Sequence, residues 1–535
     1  MIISCLENEY TSRAVCYTLD FILNCLGFFY EWIRDPIPDN QNKCRIVYGD
    51  LAAYQPAEHT LILPKIYPLE ELHKLEPDWK EITLNGNKIP VLGLFQTSSS
   101  PKTVINFDLI ATIYLHLVRI EELGCKHPDE IDEIVNQAIL YKYGRFKIPV
   151  VDIIINWFGK KIEEMLTGIN QVIIKKGAFP HGEQFGLALT HDIDLTRTIN
   201  PLKRSIFTFF HRLHFFNHQK FLKIQESEKN IWGLDDLLDL YKEWNWQATF
   251  NFIPRLTEGS NYRYNIMSRK FRKLFRRLKS EGHEIGFHPS RDAFNHPGRY
   301  KRELKKLRWI VKGNIYGLRH HYLRCLFPQI WTVVQSLNLK YDCSLAYRRI
   351  AGFRAGTTRV FSCFDHLNQR EIACSEFSTP FFEESLPDKG REFEKSFDAI
   401  SSIIRTISFN QGVLTVLWHP NNMYQQGQFR KLWEALISLL RNEETFLAPL
   451  RDHLKWQRQR QQIYMKDFQT DHKIIQFRLH IPENVDSFTL HLSDVTGPVQ
   501  IKNGLYKIEK EKGIMIIQPE ADAQIISIQF GRPKN

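Results

Sequence analysis

The chain has 535 residues, 43% apolar and 24% charged. That is ordinary globular usage and, at roughly 150 residues per domain, enough for about three domains; disordered, collagen-like and disulfide-stapled mini-proteins are excluded. Lys and Arg number 71 against 60 Asp and Glu, a net charge of +11, which permits contact with nucleic acid or an anionic surface without requiring either.

Nine cysteines, an odd number with no CxxC pair, read as reduced, mostly buried thiols and speak against a cysteine-based zinc site. Residues 14–33 are the one segment that looks like a targeting signal. Asp20, Asn24 and Glu31 interrupt it, and Glu7 and Glu9 precede it. That suits neither a signal peptide nor a span of about 20 apolar residues, so a buried amphipathic helix and a cytoplasmic location are expected. Residues 107–123 are apolar with helical spacing. Tyr143-Gly144-Arg145-Phe146 reads as a turn leading into a helix after Pro149. Residues 1–180 are expected to form an α+β domain with no catalytic pattern of its own.

From about residue 181 to 465 short apolar strands alternate with helices. Strands are expected at 186–190, 248–253, 283–287, 339–342 and 413–418. The helix at 268–280 places Phe271, Leu274, Phe275 and Leu278 on one face and its Arg and Lys residues on the other. A second basic helix, 301–312, carries Leu304, Leu307 and Val311. Basic charge opposite an apolar stripe is the pattern of a solvated outer helix, so no nucleic-acid partner is expected. Strand–helix alternation over this length points to a parallel α/β fold, a (β/α) barrel. From about residue 470 to 535 the pattern changes to period two: Ile475, Phe477, Leu479 and Ile481, then Phe488, Leu490 and Leu492, then Ile526, Ile528 and Phe530. These runs predict a small antiparallel β domain.

The sharpest chemical signal is Thr190-His191-Asp192-Ile193-Asp194, where an apolar strand ends in two carboxylates. On a strand, i and i+2 share a face, and the C-terminal ends of parallel strands are where barrel active sites assemble. One acid can bind a metal while the other acts as a base. Against this stands a plain helix-capping role. His288 follows the strand at 283–287, His419 follows the one at 413–418, and Arg319-His320-His321-Tyr322 lies between them. Each is weak alone, but polar clusters at successive strand ends do not fit a packed core.

Together these motifs resemble the polysaccharide deacetylase superfamily, the NodB-homology or carbohydrate esterase family 4 domain. Its first motif, Thr-x-Asp-Asp, is matched at Thr190 to Asp194 with one extra residue between the acids. Its His-x-x-x-His pair is matched by His288, with Asp292 where the second His is usual. Arg319 and Tyr322 match Arg-x-Pro-Tyr, with His321 in place of Pro, and Leu417 and His419 match Leu-x-His. The fourth motif has no clear match; Tyr341-Asp342 and Gly352-Phe353-Arg354-Ala355-Gly356-Thr357 lie in its region. The whole chain is most similar to a bacterial subgroup with a Thr-His-Asp-x-Asp barrel behind an extra N-terminal domain.

The resemblance implies a deformed (β/α) barrel and hydrolysis of an N-acetyl group on a sugar or glycan precursor. It implies Asp192 as base, His419 as acid, Arg319 orienting Asp192, and a backbone N–H near Tyr322 at the oxyanion. A divalent metal, zinc by type, would sit on Asp194 and His288, with Asp292 or His321 as third ligand. Two other readings stay open: a carbohydrate-binding protein that kept the barrel without the chemistry, and an amidohydrolase of cyclic amides or ureides. The sequence leaves the oligomeric state open.

Overall fold

This computed structural model describes residues 1–535 apart from 1, 7–10, 34–43, 51–59, 96–103, 128–129, 131–134, 137, 169–171, 195–232, 256–263, 295, 426, 471–473, 494–498, 510–512, 521–523 and 532–535. The architecture is mixed α/β. Its centre is a nine-stranded sheet, with strands β1 (Phe185–Ile193), β2 (Thr249–Phe252), β3 (Glu284–Phe287), β4 (Gly317–Leu318), β5 (Tyr341–Asp342), β6 (Phe361–Asp365), β7 (Arg370–Glu376), β8 (Val413–Leu417) and β9 (Thr445–Leu447). The order along the sheet is β6-β7-β5-β4-β3-β2-β1-β8, with β9 also on β1. Every pairing is parallel except β6 with β7. One parallel bridge, Phe381 with Val416, joins the chain leaving β7 to β8.

Apolar continuity explains these strands. All nine residues of β1 are buried, as parallel strands covered on both faces must be. The helix Arg269–Ser280 buries Phe271, Leu274, Phe275 and Leu278, the stripe its spacing predicts. The second basic helix starts earlier than its apolar residues suggest, at Pro297, and runs to Val311. Proline suits a first helical turn because its missing N–H has no partner to lose there.

Two N-terminal expectations are corrected. The segment at 14–33 is not one helix. Helix Arg13–Leu26 stops at Gly27, whose φ of 77° closes the helix end, and strand Phe29–Ile33 follows. The helix expected over 107–123 is Leu109–Val118, broken at Arg119 (φ 55°) before a short 3-10 turn, Ile120–Glu122. Glycine meets a left-handed backbone without penalty; Arg119 adopts it while its side chain is held by Glu122.

The N-terminal region also holds a four-stranded parallel sheet, ordered Phe29–Ile33, Ile2–Leu6, Arg45–Gly49, Thr60–Pro64. Two antiparallel four-stranded sheets lie at the C-terminal end. One contains Tyr464–Thr470, Ile474–His480, Ile525–Gly531 and Val499–Lys502; the other contains Gly504–Glu509, Ile514–Pro519, Phe488–Leu492 and, from far upstream, Ile174–Lys176. A single hydrophobic cluster runs from Val15 through Leu189 to Ile528. Among the described residues, no helix is long and apolar enough to cross a membrane.

Candidate metal centre

Asp192 lies in the last turn of β1's pleat and Asp194 just past it. His288 follows β3, His321 follows β4, and His419 follows β8. The parallel strands β4-β3-β2-β1-β8 carry these residues to one end of the sheet. There they line a cleft of about 1530 Å³ together with Tyr322.

One ligand atom each from Asp194, His288 and His321 falls within 4.8 Å of the others. His288 Nε2 lies 3.2 Å from Asp194 Oδ1, and His321 Nε2 lies 3.3 Å from Asp194 Oδ2. The two imidazoles meet edge to face at 5.0 Å. On its far side His288 Nδ1 lies 2.5 Å from the Arg319 carbonyl. That carbonyl can only accept, so Nδ1 carries a proton; Nε2 faces the site, where a bound cation would take its lone pair in place of a proton, as in metal-bound histidines. Asp194 Oδ1 and His288 Nε2 are buried and have no hydrogen-bond partner. Unsatisfied buried polar atoms are uncommon. Two facing each other, with a third nitrogen nearby, fit a divalent cation. Between the two candidates for the third ligand, geometry supports His321; the side chain of Asp292 lies outside the described residues.

Asp192 stands beside this trio, its Oδ2 3.7 Å from His288 Nε2. Its Oδ1 accepts from Asn251 Nδ2 at 2.8 Å and from Arg319 at 3.3 Å. Arg319 is fully buried and is pinned by the Cys343 carbonyl and the Thr190 and Thr379 hydroxyls. Burial would raise the Asp192 carboxyl, but His288 and Arg319 outweigh it and hold Asp192 below its ordinary value. Asp194 is held well below it, against burial, by His321 and His288.

His419 Nε2 lies 3.6 Å from Asp194 Oδ2. Its Nδ1 pairs with Glu383 Oε2 at 2.9 Å and its backbone N–H donates to Glu383 Oε1 at 2.6 Å. Although burial works against the charged imidazole, Glu383 above all, with Asp194, pushes His419 up to about 10. Tyr322 has φ 58° and is 57% exposed at the rim, its ring against that of His321 at 3.9 Å. Arg348 donates to its carbonyl.

Three side chains of this site escaped the sequence reading. Glu383 opens a short 3-10 turn, Glu383–Ser385, after β7, with no motif around it. Asn251 lies mid-strand on β2, where nothing in Thr249–Phe252 marks it as polar for a purpose. Thr379 carries no pattern. The one available hint was Gly286 in β3: a Cβ there would meet Asn251 Oδ1 at 1.9 Å. Conversely, His191 points away. Its nitrogens pair with the Trp418 carbonyl and the Tyr241 hydroxyl, both at 2.8 Å, and burial lowers it to about 3.

In the segment Gly352 to Thr357, which falls where a fourth motif is expected, Gly352 lines the wall of the same cleft, but none of the segment's side chains belongs to the metal trio. The segment forms a seam with the N-terminal region. Arg354 pairs with Glu122, which also holds Arg119. Thr357 and Thr358 donate to both oxygens of Asp152, and Gly352 packs where a Cβ would meet the Phe146 carbonyl at 2.3 Å.

Residues 3–167 match a family of unknown function, DUF7033. No curated protein matches the chain. Among solved structures, the carbohydrate deacetylase Agd3 aligns over 100% of this chain and 99% of its own, at 7% identity and a TM-score of 0.41. A Mycobacterium smegmatis protein assigned as a polysaccharide deacetylase aligns over 55% of this chain and 98% of its own, at 14% identity and a TM-score of 0.37. A CE4 family pseudoenzyme from Bacillus anthracis aligns over 52% and 67%, at 10% and 0.27.

Proposed function

We propose that the chain is a metal-dependent hydrolase that removes N-acetyl groups from a sugar or glycan precursor, built on a deformed (β/α) barrel of the polysaccharide deacetylase type. One observation carries the reading: the ligand atoms of Asp194, His288 and His321 converge with a held carboxylate, Asp192, and a protonated imidazole, His419, on either side. The motif resemblance supplies the bond and the substrate class.

Two imidazoles and one carboxylate are a donor set for zinc with open positions, and such an ion supplies Lewis acidity to water and to the acetyl carbonyl. Asp192 takes the proton of the attacking water. Its Oδ1 is tied down by Asn251 and Arg319, so Oδ2, on the His288 side, is the oxygen placed to receive it. Arg319 keeps this carboxylate ionised and fixed; it is a positioning residue. As the tetrahedral adduct collapses, the C–N bond breaks and the His419 imidazolium gives its proton to the departing amine. The products are acetate and a free amino sugar. The backbone N–H near Tyr322 is the donor assigned to the developing oxyanion.

Metal analysis of the purified chain, paired with acetate release from N-acetylated glycans, tests this. About one equivalent of zinc or a similar ion is expected, with release that chelation abolishes and the metal restores. A chain that takes up no metal after reconstitution, or a loaded chain that releases no acetate from any such glycan, overturns it.

A further inference from the structure

A second cavity, of about 670 Å³, opens where three parts of the chain meet. Its wall includes helix Arg13–Leu26, the start of β8 at Gln411 to Val413, and helix Leu450–Gln462. The start of β8 is the end remote from His419, so the five-residue strand separates this cavity from the metal centre by roughly 15 Å.

Three cations gather on its wall: Lys176, Arg359 and Arg460. Lys176 and Arg460 are buried. Each is hydrogen-bonded to main-chain carbonyls alone, and Lys176 Nζ also lies 5.3 Å from the centre of the Phe29 ring. Lys176 Nζ donates to Ile463 at 3.2 Å, and Arg359 donates to Cys25 at 3.0 Å. Arg460 donates to Gly177, Asn24 and Lys176. Among the described residues, no carboxylate forms a close ion pair with any of the three; buried Asp152 acts on Arg359 only from a distance, its own oxygens being filled by Thr357 and Thr358. An arginine has five N–H donors and a lysine three, so Arg359 uses one of five and Lys176 one of three. Arg359 Nε is buried with no acceptor.

The three cations also act on one another. Burial, then Arg460, lowers Lys176 to about 7; burial, then Arg359, lowers Arg460 to about 10. Carbonyl dipoles satisfy some donors but do not neutralise like charges withdrawn from water, which is costly unless an opposite charge arrives. Asp20, Glu31 and Glu371 line the same cavity but pair with none of these cations, so the two signs occupy different parts of the wall.

We propose that this cavity is an oxyanion site: Lys176, Arg359 and Arg460 receive the phosphate or carboxylate group of a small molecule at the junction of the N-terminal helix, the central sheet and the C-terminal helix. The occupant completes the donor set of Arg359 and ties the three segments together. Binding of this kind stabilises the folded chain by mass action.

Calorimetric titration of the full chain with inorganic phosphate and with succinate, at constant ionic strength in chloride, tests the site. Saturable one-site binding of at least one probe is expected, with a rise in thermal midpoint. Phosphate alone binding assigns a phosphate ligand; succinate alone assigns a carboxylate. Arg359→Gln and Lys176→Gln are each expected to weaken the affinity at least tenfold. Asp194→Asn, which alters the metal centre, is expected to leave it unchanged. No saturable binding of either probe overturns the proposal, as does binding that both cavity variants retain or that Asp194→Asn removes.

Discussion

Glu122 and Asp194 are both carboxylates set into the protein among basic side chains, and their surroundings differ. Glu122 takes paired donors from Arg119 and from Arg354. Three further guanidinium bonds reach the carbonyls of His116, Arg354 and Ala346. Beside it, both oxygens of Asp152 are filled by Thr357 and Thr358. Around Asp194, three imidazoles face one carboxylate, and Asp194 Oδ1 and His288 Nε2 lie 3.2 Å apart without a hydrogen bond. A closed network of this kind fixes one segment on another. An open one loses stability at each unpaired atom and makes sense where another group completes it. Buried charge alone therefore does not mark a site here, and neither does a lone unfilled atom, since both ring nitrogens of buried His116 lack a partner too; unfilled ligand atoms that face one another do.

The widest separation between the two regions is expected from removing each carboxylate. Asp194→Ala should abolish metal uptake and cut acetate release by about a thousandfold, near 4 kcal/mol at 1.36 kcal/mol per decade, while the fold persists. His288→Ala should behave alike. Glu122→Ala should do the reverse. It leaves two buried guanidinium groups unpaired, which costs about 3–5 kcal/mol, read as a fall in the urea midpoint, with metal content per folded molecule intact. Equal destabilisation by both, with metal retained, would erase the distinction.

A smaller effect is expected at Glu383. It keeps His419 protonated, so its loss should matter most above neutrality. In the native chain His419 is pushed up to about 10, and the alkaline limb of the rate should lie that high. A raised histidine contributes stability below its unfolded value of about 6.5, and that contribution disappears as pH rises through about 10. Glu383→Gln should move the alkaline limb down towards the ordinary histidine range and reduce the rate about 10–100-fold at pH 8–9, with little change at pH 6. A pH–rate profile that superimposes on the parent would show that Glu383 only anchors the loop.

Much of the central sheet was legible because parallel strands buried on both faces write themselves as apolar runs, and each functional residue but Glu383, Asn251 and Thr379 follows such a run or lies in its motif. Asp192, Asp194, His288, His321 and His419 could be read from their places at strand ends. Glu383 could not, since its partnership with His419 spans 36 residues, across the helix Phe393–Phe409 and β8, and no motif marks its own short turn. The helix end at Gly27 and the break at Arg119 were missed for a related reason. Apolar periodicity continues across both, and only the left-handed backbone stops the helix. Glycine gave a local sign at the first; at Arg119 the cause is a contact with Glu122 that periodicity does not register. Gly352 to Thr357 lies in the region of a fourth motif without matching it clearly, and its contacts explain why it carries no such pattern. Its partners, Phe146, Glu122 and Asp152, belong to the N-terminal region.

Gly286→Ala sharpens the distinction within the metal centre itself. The added Cβ would meet Asn251 Oδ1 at 1.9 Å, and the flexible amide can swing away only by releasing Asp192. Metal uptake should survive, because no ligand moves, while the rate falls about tenfold through a looser base. Metal loss in this variant would show that Asn251 supports the ligands as well as Asp192.

The smallest expected effect lies on the seam. Thr357 Oγ1 donates to Asp152 Oδ1 and accepts from the Arg359 N–H at 3.0 Å. Thr357→Ala removes that donor, yet Asp152 keeps two bonds from Thr358 to its other oxygen. Burial already raises Asp152, so a carboxyl short of one donor can be relieved by taking up a proton. The loss should be about 1 kcal/mol near neutral pH, seen as a modest fall in urea midpoint that shrinks as the pH is lowered and Asp152 becomes neutral. Thr358→Ala deletes the other hydroxyl but leaves the Thr358 N–H in place, and should cost a similar amount. If either variant instead lowered metal content, the seam and the metal centre would be one coupled network rather than two separately satisfied ones.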